Sequence, residues 1–198
     1  MSIFMIAEIG INHNGSMSIC KKLIEHAVMS GFDAIKFQKR DNKYLFSREK
    51  YNSAYNSDNA FASTYGAHRE ALELSGEDFL KIKARCKKNN VKFMCTAFDE
   101  PSLDMLVQLD VDILKVASFD LGNLSFLNKF AQSARPVVLS VGGGKAIHID
   151  TTVQFLEDLG VELAVLHCVS EYPCRHEDLG LSKIKNMVVQ FPNHLIGL

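Results

Sequence analysis

Short apolar runs of strand length alternate with segments of helical period along the whole chain. The apolar runs are four to six residues long, too short for a buried helix. They cover residues 4–9, 34–37, 91–96, 113–116, 137–140, 164–167 and 195–198. Between them, apolar residues recur every three or four positions, which is the spacing of one buried helix face. The pattern predicts βα units repeated from end to end.

Local signals support the helices between the runs. Ser75 and Asp78 form the S-x-x-D pattern of a capping box, and Asp99 stands two residues before Pro101, as a helix N-cap does. The first helical pattern stops at Gly31. These signals predict where the helices begin and end.

Repeated βα units require parallel strands covered by helices, either in a doubly wound sheet or in a (β/α)₈ barrel. The first βα turn lacks G-x-G-x-x-G, and polar residues end nearly every strand, where barrels carry their chemistry. An α/β fold of the (β/α)₈ TIM-barrel type is therefore favoured. Only seven of the eight strands are found, which predicts that residues 1–198 are the N-terminal portion of one barrel domain, truncated after the seventh strand.

The stretch of residues 39–74 interrupts this regular spacing. It is rich in Asn, Ser, Tyr and charged residues. We interpret it as a long loop with a short helix over the mouth of the barrel.

Composition narrows the classes of partner. The chain has 198 residues, 22 Lys and Arg against 23 Asp and Glu, and a formal charge of −1. This balance gives no global field for nucleic acid or an anionic membrane, so any bound anion must be held by a local cluster. No apolar run approaches a membrane span and no charged leader opens the chain, so we expect a soluble, cytoplasmic protein.

The cysteines and histidines lack the spacing of a metal site. Five cysteines are present, with no C-x-x-C pair and no H-x-x-x-H pair. We expect reduced thiols at apolar positions and no metal site within residues 1–198.

Two lysines are the most informative residues, because Lys36 and Lys115 are each the only charge inside a buried-type strand. Burying an ammonium group without a partner costs several kcal/mol, so each needs an anion nearby. Glu8 and Asp120 could serve as purely structural partners. Two such lysines on nonadjacent strands, both near strand ends, favour a site for a small and highly charged anion. Schiff-base chemistry on either lysine remains an alternative.

Further donors end the other strands. Hydroxyl donors are found at Thr96, Ser118 and Ser140. The glycine run 142–144 could form a nest of backbone N–H groups. Glu8 is suited to accept a proton or to stabilise a developing cation, whereas His13 lies in an N-H-N-G turn and is better explained by turn formation. The set predicts a cradle for a phosphate or a carboxylate.

Six motifs, spread over essentially the whole chain, carry a family resemblance. They are AEIGINHNG, DAIKFQKR, TYGAHREALELS, KVASFDLGN, LHCVSEYP and HEDLGL. The chain resembles the sialic acid synthase family, which comprises the N-acetylneuraminate synthases and their legionaminate and pseudaminate relatives.

The resemblance implies an enzyme that condenses phosphoenolpyruvate with an N-acylated amino sugar of the N-acetylmannosamine type. The products would be phosphate and a nine-carbon 2-keto sugar acid. It further implies a barrel followed by a small antifreeze-like domain, a homodimer, and a divalent manganese or magnesium ion. That domain is absent from these residues, and the ligands of the metal are expected beyond Leu198, where the family's S-[DG]-H-[TE] segment would follow.

The motifs also imply a role for each matched residue. Catalytic roles fall on Glu8, Lys36 and Lys115. Phosphoenolpyruvate-binding roles fall on Lys36, Thr96, Lys115, Ser118 and Ser140. Sugar-binding roles fall on Gln38, Asp120, Ser170 and Tyr172. On this account the lysines bind and form no Schiff base.

The sequence departs from the family after the fifth strand, where S-V-G-G replaces S-T-G-M. Two alternatives stay open: a catalytically inactive anion-binding module of the same barrel, and a lysine Schiff-base aldolase. We expect little synthase activity from the 198-residue chain by itself.

Overall fold

Seven strands alternate with helices in the computed structural model, which describes residues 3–198. The chain divides into two units, Met1–Asp112 and Ile113–Leu198. In each unit the strands are parallel and neighbours in sequence are neighbours in the sheet. The predicted α/β class and the number of strands within the described residues are confirmed.

Within residues 3–112, the first unit contains three strands and six helices. The strands are β1 (Ile6–Gly10), β2 (Ala34–Lys39) and β3 (Lys92–Ala97). The helices are α1 (Met17–Met29), α2 (Asn42–Leu45), α3 (Arg48–Asn52), α4 (Tyr65–Ala71), α5 (Gly76–Lys88) and α6 (Glu100–Gln108). Strand β1 begins two residues later than predicted, because Phe4 and Met5 lie exposed before it.

One face of this sheet carries the core of the first unit. Phe37 of β2, Phe93 of β3 and Phe79 of α5 have ring centroids 5.8 to 6.3 Å apart. Successive side chains of a strand point to opposite faces. The neighbours of these core residues on β2 and β3, including Lys36 and Thr96, therefore lie on the other face.

The predicted helix starts are confirmed. Ser75 Oγ accepts from the Asp78 N–H, and the Asp78 carboxylate accepts in return from the Ser75 N–H. The Asp99 carboxylate accepts from the Ser102 N–H at the start of α6, with Pro101 in the first turn.

The interpretation of residues 39–74 as a loop with one short helix is wrong. Three short helices, α2 to α4, occupy this segment, and an isolated bridge joins Ala54 to Thr64. Each helix has its own polar N-cap, at Asp41, Ser47 and Thr64. Caps of this kind satisfy the free N–H groups of helices too short to show an apolar period.

The second unit contains four strands, three α-helices and two short 3₁₀ turns. The strands are β4 (Ile113–Val116), β5 (Val137–Ser140), β6 (Leu163–Leu166) and β7 (Leu195–Gly197). The helices are α7 (Leu124–Gln132), α8 (Ala146–Asp158) and α9 (Ser182–Gln190), and the 3₁₀ turns are Ser118–Asp120 and His176–Asp178. Leu114, Val116 and Leu139 point to one buried face, which places Lys115 and Ser140 on the other.

The prediction of thiols at apolar positions is correct for three of the five cysteines. Cys20, Cys86 and Cys95 are buried, whereas Cys168 and Cys174 are half-buried in the polar loop after β6. No helix within residues 3–198 combines the length and the apolar character that a membrane crossing requires.

Candidate active site

In the first unit, the polar residues meet at the carboxyl ends of the strands. Glu8 of β1 pairs in register with Lys36 of β2, and their side chains form an ion pair. Gln38, two residues along the same face, donates from Nε2 to Glu8 Oε1 over 3.3 Å. Thr96 is directly opposite Gln38 in the β2–β3 ladder and is buried. The structure thus brings together all four residues that the sequence assigns to this unit.

A bulge in β1 gives Glu8 its position. The register shifts between Glu8 and Gly10, and Gly10 has a φ of +56°. A Cβ atom at Gly10 would lie 2.7 Å from Glu8 Oε1. Only glycine combines this backbone conformation with such a close approach of the carboxylate.

Burial weakens the hold of Lys36 on its proton. Burial, with a smaller contribution from the positive charge of Arg40, lowers the pKa of Lys36 to about 8. The amine is still mostly protonated at neutral pH, so it binds Glu8 as a cation. Glu8 is therefore a structural partner of Lys36, as the sequence allowed. The Glu8 side chain is also 44% exposed, so it is open to a ligand.

His13 fits its explanation as a turn residue. It is buried, and its Nδ1 atom accepts from the Gly15 N–H over 3.1 Å. Burial lowers the pKa of His13. The buried imidazole of His13 therefore stabilises the turn after β1 by accepting this hydrogen bond.

In the second unit, Lys115 donates to oxygen atoms of its own strand and of β5. Its Nζ atom lies 2.5 Å from Ser140 Oγ and 2.7 Å from the Val116 carbonyl. Asp120 is buried, and burial raises the pKa of Asp120 to about 6 against the opposing effects of an Asn123 hydrogen bond and the Lys115 charge. Lys115 and Asp120 are thus electrostatic neighbours in a site with little water.

A second cluster joins the ends of β4, β5 and β6. The Gly142 N–H donates to Ser118 Oγ over 3.0 Å and to Cys168 Sγ over 3.1 Å, and these two acceptors are 3.2 Å apart. A Cβ atom at Gly142 would lie 2.5 Å from Cys168 Sγ and 2.7 Å from Ser170 Oγ. The loop after β5 therefore packs directly on the loop after β6.

This packing corrects the expected glycine nest. The N–H of Gly142 is already bonded to side chains, and the N–H of Gly144 donates to the Val141 carbonyl. Two of the three donors thus serve the loop itself, because the run folds back on its neighbours.

The remaining predicted residues differ in their surroundings. Ser170 is exposed and lies beside Gly142, whereas the Tyr172 side chain is 93% exposed. The structure brings Ser170 to the cluster of Ser118 and Cys168, but not Tyr172. The ligand-binding roles of all these residues stay predictions.

Sequence reasoning missed two residues of these clusters. Cys168 lies two residues beyond Leu166, the last residue of β6, whereas Thr96 and Ser140 lie within the last two residues of their strands. Arg40 directly follows β2 and donates to Gln38 Oε1 over 2.8 Å. Polarity at a strand end was the available signal in both cases.

The described residues do not fit the divalent ion that the resemblance implies. Within residues 3–198, no group of three or more His, Cys, Asp or Glu side chains could hold a metal.

Comparison with known proteins decides the family. A model described as the NeuB family matches residues 23–198. The chain belongs to the NeuB family. It is 40% identical over 197 residues to the N-acetylneuraminate-9-phosphate synthase of Drosophila melanogaster, a match that covers 99% of this chain and 53% of the relative.

Two bacterial proteins are also similar to this chain. An N,N'-diacetyllegionaminic acid synthase of Legionella pneumophila is 34% identical, over 100% of this chain and 59% of the relative. The N-acetylneuraminic acid synthetase of Leptospira borgpetersenii, crystallised in complex with citrate, superposes with a TM-score of 0.86 at 33% identity. That match covers 100% of this chain and 64% of the other. The chain spans about half the length of the curated relatives it matches, and the resemblance to sialic acid synthases is confirmed.

Proposed function

We propose that this NeuB chain is the phosphoenolpyruvate-binding part of a sialic acid type synthase. The reaction joins phosphoenolpyruvate to an N-acylated amino sugar and gives a nine-carbon 2-keto sugar acid and phosphate. The observation that carries the proposal is the pairing, in each unit, of a lysine with polar groups at the carboxyl ends of parallel strands; Lys115 is buried, and the side chain of Lys36 is 13% exposed. Barrel enzymes build their sites at that end.

The lysines supply the charge that the donor substrate needs. Phosphoenolpyruvate carries a phosphate and a carboxylate, and we assign Lys36, Thr96, Lys115, Ser118 and Ser140 to its binding. Charge-assisted hydrogen bonds are about twice as strong as neutral ones, and they gain further where water is excluded. Lys115 is 6% exposed and meets this condition.

The remaining roles follow from the bond changes. C3 of phosphoenolpyruvate attacks the sugar aldehyde, water adds at C2, and the C2–O bond breaks to release phosphate. Glu8 forms an ion pair with Lys36, a lysine that we assign to the donor site, so its carboxylate can stabilise the cationic character that develops at C2. Gln38, Asp120, Ser170 and Tyr172 are assigned to the sugar.

The relatives differ in their acceptor, and simple carbon counting shows how. Three carbons of the product come from phosphoenolpyruvate, so C9 of the product is C6 of the hexose. A 9-phosphate synthase such as the Drosophila relative therefore implies a 6-phosphorylated sugar, whereas a legionaminic acid synthase implies an unphosphorylated one. Both sugars belong in the test.

Features of the longer relatives complete the proposal. We propose that the fold is a (β/α)₈ barrel when complete, and that the synthase works as a homodimer with an antifreeze-like domain. A manganese or magnesium ion belongs to the same proposal, with its ligands outside the described residues.

The decisive experiment measures binding and turnover separately. Calorimetry with phosphoenolpyruvate is expected to show binding that Lys36→Met and Lys115→Met abolish, whereas the exposed Lys22→Met retains it. Phosphate release and product mass are then followed with N-acetylmannosamine, with its 6-phosphate and with manganese, in the full encoded protein.

Each outcome of this experiment has one meaning. Binding without turnover in the full protein supports the inactive anion-binding module. Borohydride trapping of a pyruvate adduct on Lys36 or Lys115 supports the Schiff-base aldolase. Absence of binding overturns the proposal.

A further inference from the structure

Arg40 is held rigidly at the end of β2, outside the set of predicted site residues. Its guanidinium carbon lies 3.5 Å from the centroid of the Phe98 ring. Its backbone N–H donates to Glu73 Oε2 over 3.3 Å, and its carbonyl accepts from Lys39 Nζ over 3.0 Å. Stacking and these bonds fix both ends of the residue.

This rigid guanidinium controls the orientation of the Gln38 amide. Arg40 Nη2 donates to Gln38 Oε1 over 2.8 Å. A guanidinium has donors and no acceptor, so it can face only the oxygen of the amide. The nitrogen of Gln38 is therefore turned away from Arg40, where it donates to Glu8 Oε1 over 3.3 Å.

A continuous polar chain results, from Arg40 through Gln38 and Glu8 to Lys36. If the Gln38 amide were flipped, its NH₂ group would face the Arg40 donors and its oxygen would face the Glu8 carboxylate. Both contacts would be repulsive. The charge of Arg40 thus selects one of two amide orientations that are sterically almost identical.

We propose that Arg40 is a positioning residue that makes Gln38 a hydrogen-bond donor toward the acceptor sugar. In this orientation Gln38 Oε1 is occupied by Arg40 and one N–H by Glu8. The second N–H is the group left to meet a ligand, and it fits an oxygen acceptor such as a hydroxyl or an N-acyl carbonyl. The inference rests on the proposed function, since the ligand is the sugar of that reaction.

The charge of Arg40 persists at the working pH. Burial and the neighbouring Arg69 lower the pKa of Arg40 to about 10, which leaves the guanidinium protonated at neutral pH. The orientation of Gln38 is therefore stable throughout the physiological range.

The kinetic test uses a double-mutant cycle on the full encoded protein. Arg40→Met keeps an apolar stem against Phe98 and removes the donors. It is expected to raise KM for the sugar about tenfold, the effect of one charged hydrogen bond, with KM for phosphoenolpyruvate unchanged. Because Arg40 acts through Gln38, Arg40→Met in a Gln38→Met background is expected to cost nothing more. Arg48→Met, an exposed arginine of α3, is the matched control.

A spectroscopic readout separates this inference from the proposed function. The side-chain NH₂ signals of Gln38 in a ¹⁵N–¹H spectrum are expected to shift in Arg40→Met and to stay in place in Arg48→Met. Unmoved signals would overturn the inference even in an active enzyme. Additive effects in the cycle, or equal losses for both substrates, would also overturn it. If the protein turns over no sugar but the Gln38 signals shift in Arg40→Met, the proposed function is wrong and the positioning role of Arg40 is supported.

Discussion

At the scale of single residues, the shifted pKa of Lys36 makes a prediction about pH. A group with a pKa of about 8 is mostly protonated at pH 7 and about one-tenth protonated at pH 9. The protonated form binds the anion, so affinity is expected to fall as the pH rises through about 8. Calorimetric titration with phosphoenolpyruvate from pH 6.5 to 9.5 measures this fall.

The matched comparison for the pH profile is Lys36→Met. The variant has no amine to titrate at this position, so its residual affinity is expected to lose that step. A wild-type profile that stays flat through pH 9 contradicts the assignment of Lys36 as the titrating cation.

Gly142 carries the second residue-scale prediction. An alanine Cβ there would lie 2.5 Å from Cys168 Sγ and 2.7 Å from Ser170 Oγ, so the two loops must separate. Overpacking of this kind costs about 1–3 kcal/mol. Gly142→Ala is expected to lower the unfolding temperature and to weaken binding of phosphoenolpyruvate through the displaced Ser118.

Gly76 provides the control for that substitution. A Cβ atom at Gly76 would meet its nearest atom, Met105 Sδ, at an ordinary 3.9 Å. Gly76→Ala is therefore expected to leave the unfolding temperature and the binding unchanged or slightly improved. If Gly142→Ala and Gly76→Ala have the same effect in thermal unfolding and calorimetry, Gly142 is not required for the close packing of the loops after β5 and β6.

At the scale of elements, the capping box of α5 is worth a measurable amount of stability. Ser75 Oγ accepts from the Asp78 N–H over 3.2 Å, and the Asp78 carboxylate completes the box. Ser75→Ala is expected to lower the free energy of unfolding by about 1 kcal/mol in urea denaturation. The exposed Glu77→Gln is the comparison, and an equal loss there would point to charge at the helix start instead of the cap.

The strands and helices also show which elements the sequence pattern can predict. Strands such as β4 and β5 lie where their apolar runs predict, because a strand buried on one face needs those residues in that order. The sequence predicts one short helix within residues 39–74 where the structure has three, because these helices are four to seven residues long and are stabilised by caps and aromatic contacts, such as Tyr55 against His68. Such contacts depend on residues that are distant in the pattern.

The same limit applies to the candidate site. The sequence pattern identifies several site residues, because polar residues near strand ends are visible in it: Glu8, Lys36, Ser118 and Ser140. Cys168 contacts Ser118, which lies 50 residues earlier in the chain, and Arg40 contacts the side chain of Gln38, two residues before it. Only the folded structure shows these contacts. Which N–H groups of the glycine run stay free is likewise decided by its neighbours in space.

At the scale of the whole molecule, binding and catalysis are expected to separate. The chain contains every residue that we assign to phosphoenolpyruvate, yet it spans 53% of the length of the Drosophila synthase. Protein of residues 1–198 alone is therefore expected to bind phosphoenolpyruvate and to release phosphate far more slowly than a full-length relative. Calorimetry and a phosphate-release assay on the same preparation, with N-acetylmannosamine or its 6-phosphate and manganese, test both halves of this statement. Phosphate release at a rate comparable to that of the full-length relative would show that residues 1–198 suffice for catalysis. The expected separation of binding from catalysis would then be wrong.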